Sequence, residues 1–341
     1  MRIATYNVEW FGALFDDQDQ LIMNDRWSGR HNVTCAQQAQ ALGTVFKAID
    51  ADAVMVIEAP DQNGQRDTVM ALEAFARAYD LRACKAVLGF SNDTQQEIAL
   101  LYDPNKIKAV HDPIGVATGK KRTDDVPRFD EVFHIDLDVD ATEDVVRFSK
   151  PPLELQVNTA KGNQFRMIGA HLKSKAPHGA RSRDEVIRLS VANRRKQLAQ
   201  AIWLRARIAT HLEAGDSLIL LGDLNDGPGL DEYENLFGRS SVEIVMGEDG
   251  ANGLFDPNAR AILRRRLAPI PTSSRFFLAR EGRYLQALLD YVMISSDMCD
   301  KKPCWRIWHP FDDYECWRKT ELREALLTAS DHFPVVLDIE I

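Results

Sequence analysis

The stretch SLILLGDLND, residues 217–226, is an apolar run, Leu218 to Leu221, that ends on Gly222, Asp223 and Asn225. A short continuous apolar run reads as a strand covered on both faces. Upstream, an amphipathic pattern from about Asp184 to Leu212 predicts a helix, and FRMIGAHL at 165–172 predicts another strand ending on a polar residue, His171. Downstream, LQALLDYVMIS (285–295) and FPVVLDI (333–339) predict further strands. The amino-terminal half repeats this alternation. RIATYNVEWF (2–11) reads as a strand to about Glu9, residues 37–49 and 68–79 as helices, and AVMVIEA (53–59), 83–90 and 98–102 as strands, the last ended by Asp103-Pro104-Asn105. Residues 115–127 read as a loop, and FHIDLDV (133–139) and LELQVNT (153–159) as alternating strands. Strands and helices interleave from end to end without a Pro/Ser-rich linker, a repeat or a low-complexity tract. One domain spanning 1–341 is expected, with sheets inside and helices outside.

Composition excludes several classes. The chain has 341 residues, 45% of them hydrophobic and 27% charged, which is neither disordered nor a small disulfide scaffold. With 51 acids against 42 Lys and Arg, a net charge of −9 argues against generic coating of nucleic acid or anionic membrane, so a phosphate-bearing partner must meet a local basic patch. No apolar run is long enough for a membrane span and no leader is visible; the odd count of five cysteines favours reduced thiols and hence the cytoplasm.

Five segments place a polar or ionisable group at the end of a hydrophobic strand: Asn7, Glu58, His171, the pair Asp223 and Asn225, and the pair Asp331 and His332. Strand ends are where a rigid scaffold presents side chains to a cleft. Taken singly, each is explained by turn chemistry. Together and in order, the pieces TYNVEWF, VIEAP, QEIALLYDPNKI, IGAHLKSK, LLGDLND, LDYVMIS and SDHFPVV resemble the endonuclease/exonuclease/phosphatase superfamily over essentially the whole chain, with GD-x-N and SDH-x-P the most specific elements. That resemblance implies a four-layer α/β sandwich, two mixed β-sheets packed face to face with helices outside, and a site at one edge.

Cleaving a phosphate ester requires neutralising its charge and assisting a poor leaving group. A divalent cation with hard oxygen ligands does both, so Mg²⁺ or Mn²⁺ is expected at Glu58 and Asn7. The resemblance adds Asp331 as a further ligand. It also implies that Asp223 deprotonates the attacking water, that Asn225 bonds a phosphoryl oxygen, that His332 contacts the phosphate with Asp290 on its other ring nitrogen, and that His171, paired with Glu97 as in the deoxyribonuclease I branch, protonates the departing oxygen. Where that branch has an Arg, this chain has Lys150 in FSKPPLEL, which keeps charge but loses bidentate geometry.

Residues 173–207 hold ten Lys or Arg and two acids. The loop cations Lys173, Lys175, Arg181 and Arg183 are expected to meet phosphate, and the helical ones to form a solvated face. Residues 299–319 hold three of the six Trp and three of the five Cys, a loop that either stacks bases or packs onto the body. The spacing of Cys299, Cys304, His309 and Cys316 matches no C-x₂-C zinc pattern. The expectation is a metal-dependent phosphodiesterase acting on DNA or RNA. A lipid headgroup or small organic phosphate is the alternative substrate, and a catalytically silent binding module the remaining reading.

Overall fold

The structure is a computed structural model that describes residues 1–117, 125–136, 144–177, 179–227, 238–248, 250, 252–264, 270–278 and 282–341. Parts of the expected loop 115–127 and of the strand 133–139 lie outside the described residues. Two six-stranded mixed sheets dominate, and β6 (Phe133–Ile135) and β7 (Asp144–Val146) pair as a separate antiparallel ribbon. In the first, β1 (Arg2–Asn7) lies parallel to β2 (Ala53–Ala59), with β4 (Glu97–Tyr102), β3 (Lys85–Leu88), β16 (Val335–Asp338) and β15 (Cys304–Ile307) completing it. In the second, β9 (Gln164–His171) lies parallel to β10 (Leu218–Asp223), flanked by β14 (Asp290–Ser295), β11 (Leu254–Phe255), β8 (Leu153–Thr159) and β5 (Ile107–His111).

Strand alternation sets the layers, because successive side chains point to opposite faces. Ile3, Met55, Ile57, Leu155, Met167, Ile219, Leu221, Val292 and Leu337 fill the space between the sheets. The opposite face of the first sheet, through Ala4, Val54 and Val56, packs under helix α1 (Cys35–Ile49), α2 (Thr68–Ala78) and the helix Thr320–Ala329. That of the second, through Ile168, Ala170, Leu218 and Leu220, packs under α3 (Arg183–Glu213). Each central strand is thus buried on both sides, which is why these runs are continuously apolar. Local chemistry fixes the helix starts: Thr34 and Gln37 form a capping box on α1, Asp67 caps α2, and Ser182 caps α3, with Asp184 and Glu185 in its first turn. Among the described residues no helix is long and apolar enough to cross a membrane.

Three elements differ from expectation. Residues 285–295 do not form one strand: β13 (Arg283–Ala287) pairs with β12 (Ser274–Leu278) as a separate hairpin, and β14 begins at Asp290. The Cys/Trp-rich segment is not a plain loop, since it carries the edge strand β15 and the short helix Tyr314–Arg318. The helical cations are not all solvated. Arg194 and Arg207 are buried, the first on Asp226 at 2.8 Å and the second beside Glu154 at 3.3 Å.

Gly222 explains the glycine in GD-x-N. Its φ is 137°, and a Cβ there would lie 2.0 Å from the Ala170 carbonyl oxygen on the neighbouring strand. Gly222→Ala is therefore expected to cost at least about 2 kcal/mol, read as a lower urea midpoint, since neither backbone has room to move.

Candidate active site

The topology brings the polar strand ends to one edge. β1, β2, β9 and β10 finish there, and the antiparallel strands β4, β14 and β16 begin there, so Asp223 sits in register with both His171 and Asp290. The two sheets meet through a direct bond: Asn7 Nδ2 donates to Asp223 Oδ2 at 3.0 Å.

Asp223 is the hub. Its Oδ1 accepts from the Asn225 backbone N–H at 2.7 Å, and its Oδ2 lies 3.7 Å from His171 Nε2 and 3.9 Å from His332 Nε2. Burial pushes its pKa up to about 7, against the pull of the His332 charge and with the neighbouring Asp290 adding to the rise. Asn225, held at φ 50°, spends both amide hydrogens locally, on the Leu172 carbonyl at 3.0 Å and on Asp223 Oδ2 at 3.3 Å. Asn225 is thus tied to Asp223 itself, and a phosphoryl oxygen would have to displace one of these two bonds to meet its side-chain amide.

His332 Nδ1 donates to Asp290 Oδ2 at 2.7 Å. Burial alone would depress the imidazolium, but Asp290 and Asp223 outweigh it and push its pKa up to about 10. Ser273 donates to the same Asp290 oxygen at 2.7 Å while accepting from the N–H groups of Leu289 and Asp290. Asp223, Asp290 and His332 thus form a buried cluster with ligand atoms within 4.8 Å of one another. The Nδ1 of His332 is already bonded to Asp290, and the pair places a positive charge beside Asp223.

The expected His171–Glu97 pair does not form. Glu97 is fully buried and accepts from the Asn92 side chain at 2.7 Å and the Asn92 N–H at 3.3 Å, and burial pushes its pKa up to about 7. Asn92 is five residues upstream, so a local loop satisfies Glu97 before any residue of the other sheet reaches it. The partner of His171 is Lys150, whose Nζ lies 3.3 Å from each ring nitrogen. Burial, then the Lys150, His332 and Lys173 charges, hold His171 well below its ordinary pKa, as a neutral imidazole.

Glu58 stands at a β-bulge with φ 61°, which turns the chain out of register between Ile57 and Ala59. Its Oε2 accepts from Gln96 Nε2 at 2.8 Å and from the Trp10 N–H at 3.3 Å, while Oε1 has no hydrogen-bond partner among the described residues. Burial raises its pKa, and the Lys150 and His332 charges oppose that rise. Asp331 lies close enough to raise it further, with its N–H on Glu9 Oε2 at 3.1 Å. The half-satisfied Glu58 carboxylate, the Asp331 carboxylate that acts on it electrostatically, and the Asn7 amide oxygen, which accepts from the Glu9 N–H at 3.2 Å, are oxygen donors of the kind that suits a hard divalent cation. Glu58, Asn7 and Asp331 would hold it.

Of the expected phosphate contacts, Lys150 and Lys173 act electrostatically on the site. Lys175 Nζ bonds the fully buried Asp226 at 2.6 Å. Arg181 is exposed, with its backbone N–H on Glu185 Oε2 at 2.7 Å. Residues without a sequence signal support the loops. Gln197, on α3, donates to the carbonyls of Lys173 and Asn225 at 2.9 Å each, and Asp226 anchors Arg194 and the Ser241 N–H.

Comparison with known proteins agrees with this architecture. No curated protein sequence matches the chain significantly. Among solved structures, TDP2 from Caenorhabditis elegans superposes with a TM-score of 0.51 at 13% identity, covering 100% of this chain and 74% of that one. An endonuclease/exonuclease/phosphatase from Bacteroides vulgatus superposes with a TM-score of 0.50 at 13% identity, covering 99% and 98%. At such identity these two are alike in fold. The family model for the endonuclease/exonuclease/phosphatase family matches residues 4–332, nearly the whole sequence, and the chain belongs to that family.

Proposed function

We propose that this protein hydrolyses phosphodiesters, those of DNA or RNA foremost, by attack of a water that Asp223 deprotonates. The observation that carries the reading is the placing of Asp223 between two imidazoles of unlike charge, at 3.7 Å and 3.9 Å, with its carboxylate oriented by Asn7 and Asn225. A pKa near 7 suits a general base working at neutral pH. His332, kept charged by Asp290, meets a phosphoryl oxygen on the side facing Asp223. Lys150 and Lys173 add positive charge near His171, and His171 enters neutral, a hydrogen-bonding group rather than a strong acid. Mg²⁺ or Mn²⁺ bound at Glu58, Asn7 and Asp331 supplies further charge neutralisation for the phosphoryl and leaving oxygens. Lys150 makes the grip on phosphate that of a point charge rather than a bidentate fork.

Assay with Mg²⁺ or Mn²⁺ against single- and double-stranded DNA, RNA, sphingomyelin and a chromogenic phosphate diester tests this, with turnover on the nucleic acids expected to exceed that on sphingomyelin. Turnover on sphingomyelin alone moves the substrate to the lipid class, and turnover on none leaves a silent module. Glu58→Gln is expected to raise the metal concentration for half-maximal activity at least about tenfold, with activity recovered at high metal, since a lost ligand charge weakens cation affinity first. A Glu58→Gln variant that no metal concentration restores contradicts the ligand role.

A further inference from the structure

The hairpin β12–β13 belongs to neither main sheet, and its base is stitched to the site. Ser273 holds Asp290, the Arg275 N–H donates to the Asp331 carbonyl at 2.7 Å, and Phe276 packs edge-on to His332 with centroids 5.4 Å apart. Cross-strand register puts Arg275 opposite Gln286 and Phe277 opposite Tyr284. Residues 275, 277, 284 and 286 thus share the face turned away from Phe276.

That face continues into a line of rings. His31 lies 6.4 Å from Phe277, Phe277 lies 5.1 Å from Tyr284, and the Arg275 guanidinium sits over Tyr284 at 3.3 Å and over Phe311 at 5.3 Å. Phe311 lies 6.1 Å from Trp317, over which Arg323 rests at 4.7 Å. Phe277, Tyr284, Phe311 and Trp317 are each 40–49% exposed. Monomeric proteins seldom line up exposed rings without a use for them. Arg323 is paired with Glu324, whereas Arg275 has no carboxylate partner among the described residues.

We infer that this ridge of His31, Phe277, Tyr284, Arg275, Phe311 and Trp317 is a binding surface for single-stranded nucleic acid on the flank of the hydrolytic site, to which the base of the hairpin is joined. Bases stack on ring faces whatever their sequence, and a guanidinium between two rings presents charge where the phosphate linking two stacked bases lies. A duplex hides its base faces and cannot use such a ridge. A carboxylate-rich protein partner would suit Arg275 but leave the row of rings unexplained. The inference deepens the proposed phosphodiesterase reading by naming the form of its substrate, and it rests on that reading only for cleavage, since binding is measurable without it.

The test uses the full chain in EDTA, with fluorescence anisotropy of a labelled oligothymidylate and of a hairpin duplex of equal length. The single strand is expected to bind at least about tenfold tighter than the duplex, and Tyr284→Ala and Phe311→Ala each to weaken it about tenfold, the scale of one stacked base. Tyr284→Phe keeps affinity, and Trp317 emission changes on binding in the wild-type protein but not in Trp317→Phe. Hydrolysis of the small chromogenic diester stays unchanged in the alanine variants, because neither residue touches the site. Equal single-strand binding by wild type and both alanine variants overturns the inference. So does concentration-dependent self-association in sedimentation that Phe311→Ala abolishes. Diester hydrolysis without oligonucleotide binding overturns the ridge and spares the enzyme reading; ridge-dependent binding without any hydrolysis does the reverse.

Discussion

Asp223→Asn lowers turnover on the preferred phosphodiester by about 10²–10⁴-fold, the range that a positioned general base contributes. The substitution keeps the shape and the bonds from Asn7 and Asn225 in outline, but it removes the one group in the GDLN turn able to accept a proton. Adding metal does not restore the rate, in contrast to Glu58→Gln, because the lost group acts on the water and not on the cation. The loss falls on kcat, with KM little changed, since Lys150, Lys173 and His332 still meet the substrate. Single-turnover rates of the two variants across a metal titration separate the roles. Near-normal turnover of Asp223→Asn, or recovery at high metal as full as that of Glu58→Gln, contradicts the assignment.

Asp226→Ala is expected to lower stability by about 3–5 kcal/mol, the cost of stripping one partner from a buried ion pair. Its carboxylate is fully buried and takes bonds from Arg194 at 2.8 Å, Lys175 at 2.6 Å, the Gly227 N–H at 3.0 Å and the Ser241 N–H at 2.6 Å. Removal takes the Asp226 carboxylate away from the Arg194 guanidinium, which is 1% exposed in the interior. Urea unfolding reads the effect as a shifted midpoint at constant slope. Pairing Asp226→Ala with Arg194→Met recovers part of the loss, because the more deeply buried of the two cations is then removed together with its carboxylate. A cost below about 1 kcal/mol, the level of an exposed pair, contradicts a buried anchoring role.

The strands that carry the site were legible because burial on both faces makes them uniformly apolar and because each closes on a polar residue. The edge at which they converge follows from parallel pairing of β1 with β2 and of β9 with β10, which no local pattern reveals. The split of 285–295 was hidden because the bend at Leu288 and Leu289 is built from buried apolar residues, without the Gly or Pro that usually marks one. Ser273 and Gln197 gave no signal, since their work is to hold other groups across 17 and 28 residues of sequence. The His332–Asp290 contact was suggested by family resemblance and spans 42 residues. The same resemblance suggested His171 with Glu97, where a nearby asparagine and Lys150 took the two partners instead. Lys150, a single departure in the sequence, stands against His171 and changes which group bears the charge.

If the strand ends of two sheets build one metal-dependent phosphodiesterase centre around Asp223, turnover requires both the cation and that carboxylate. Hydrolysis of a chromogenic phosphate diester by the full chain, with Mg²⁺ or Mn²⁺ and with excess EDTA, measures it most directly. Turnover that appears with the cation, vanishes in EDTA, returns on re-addition and is nearly abolished in Asp223→Asn is the predicted result. Turnover that persists in EDTA, or that Asp223→Asn leaves intact, contradicts it.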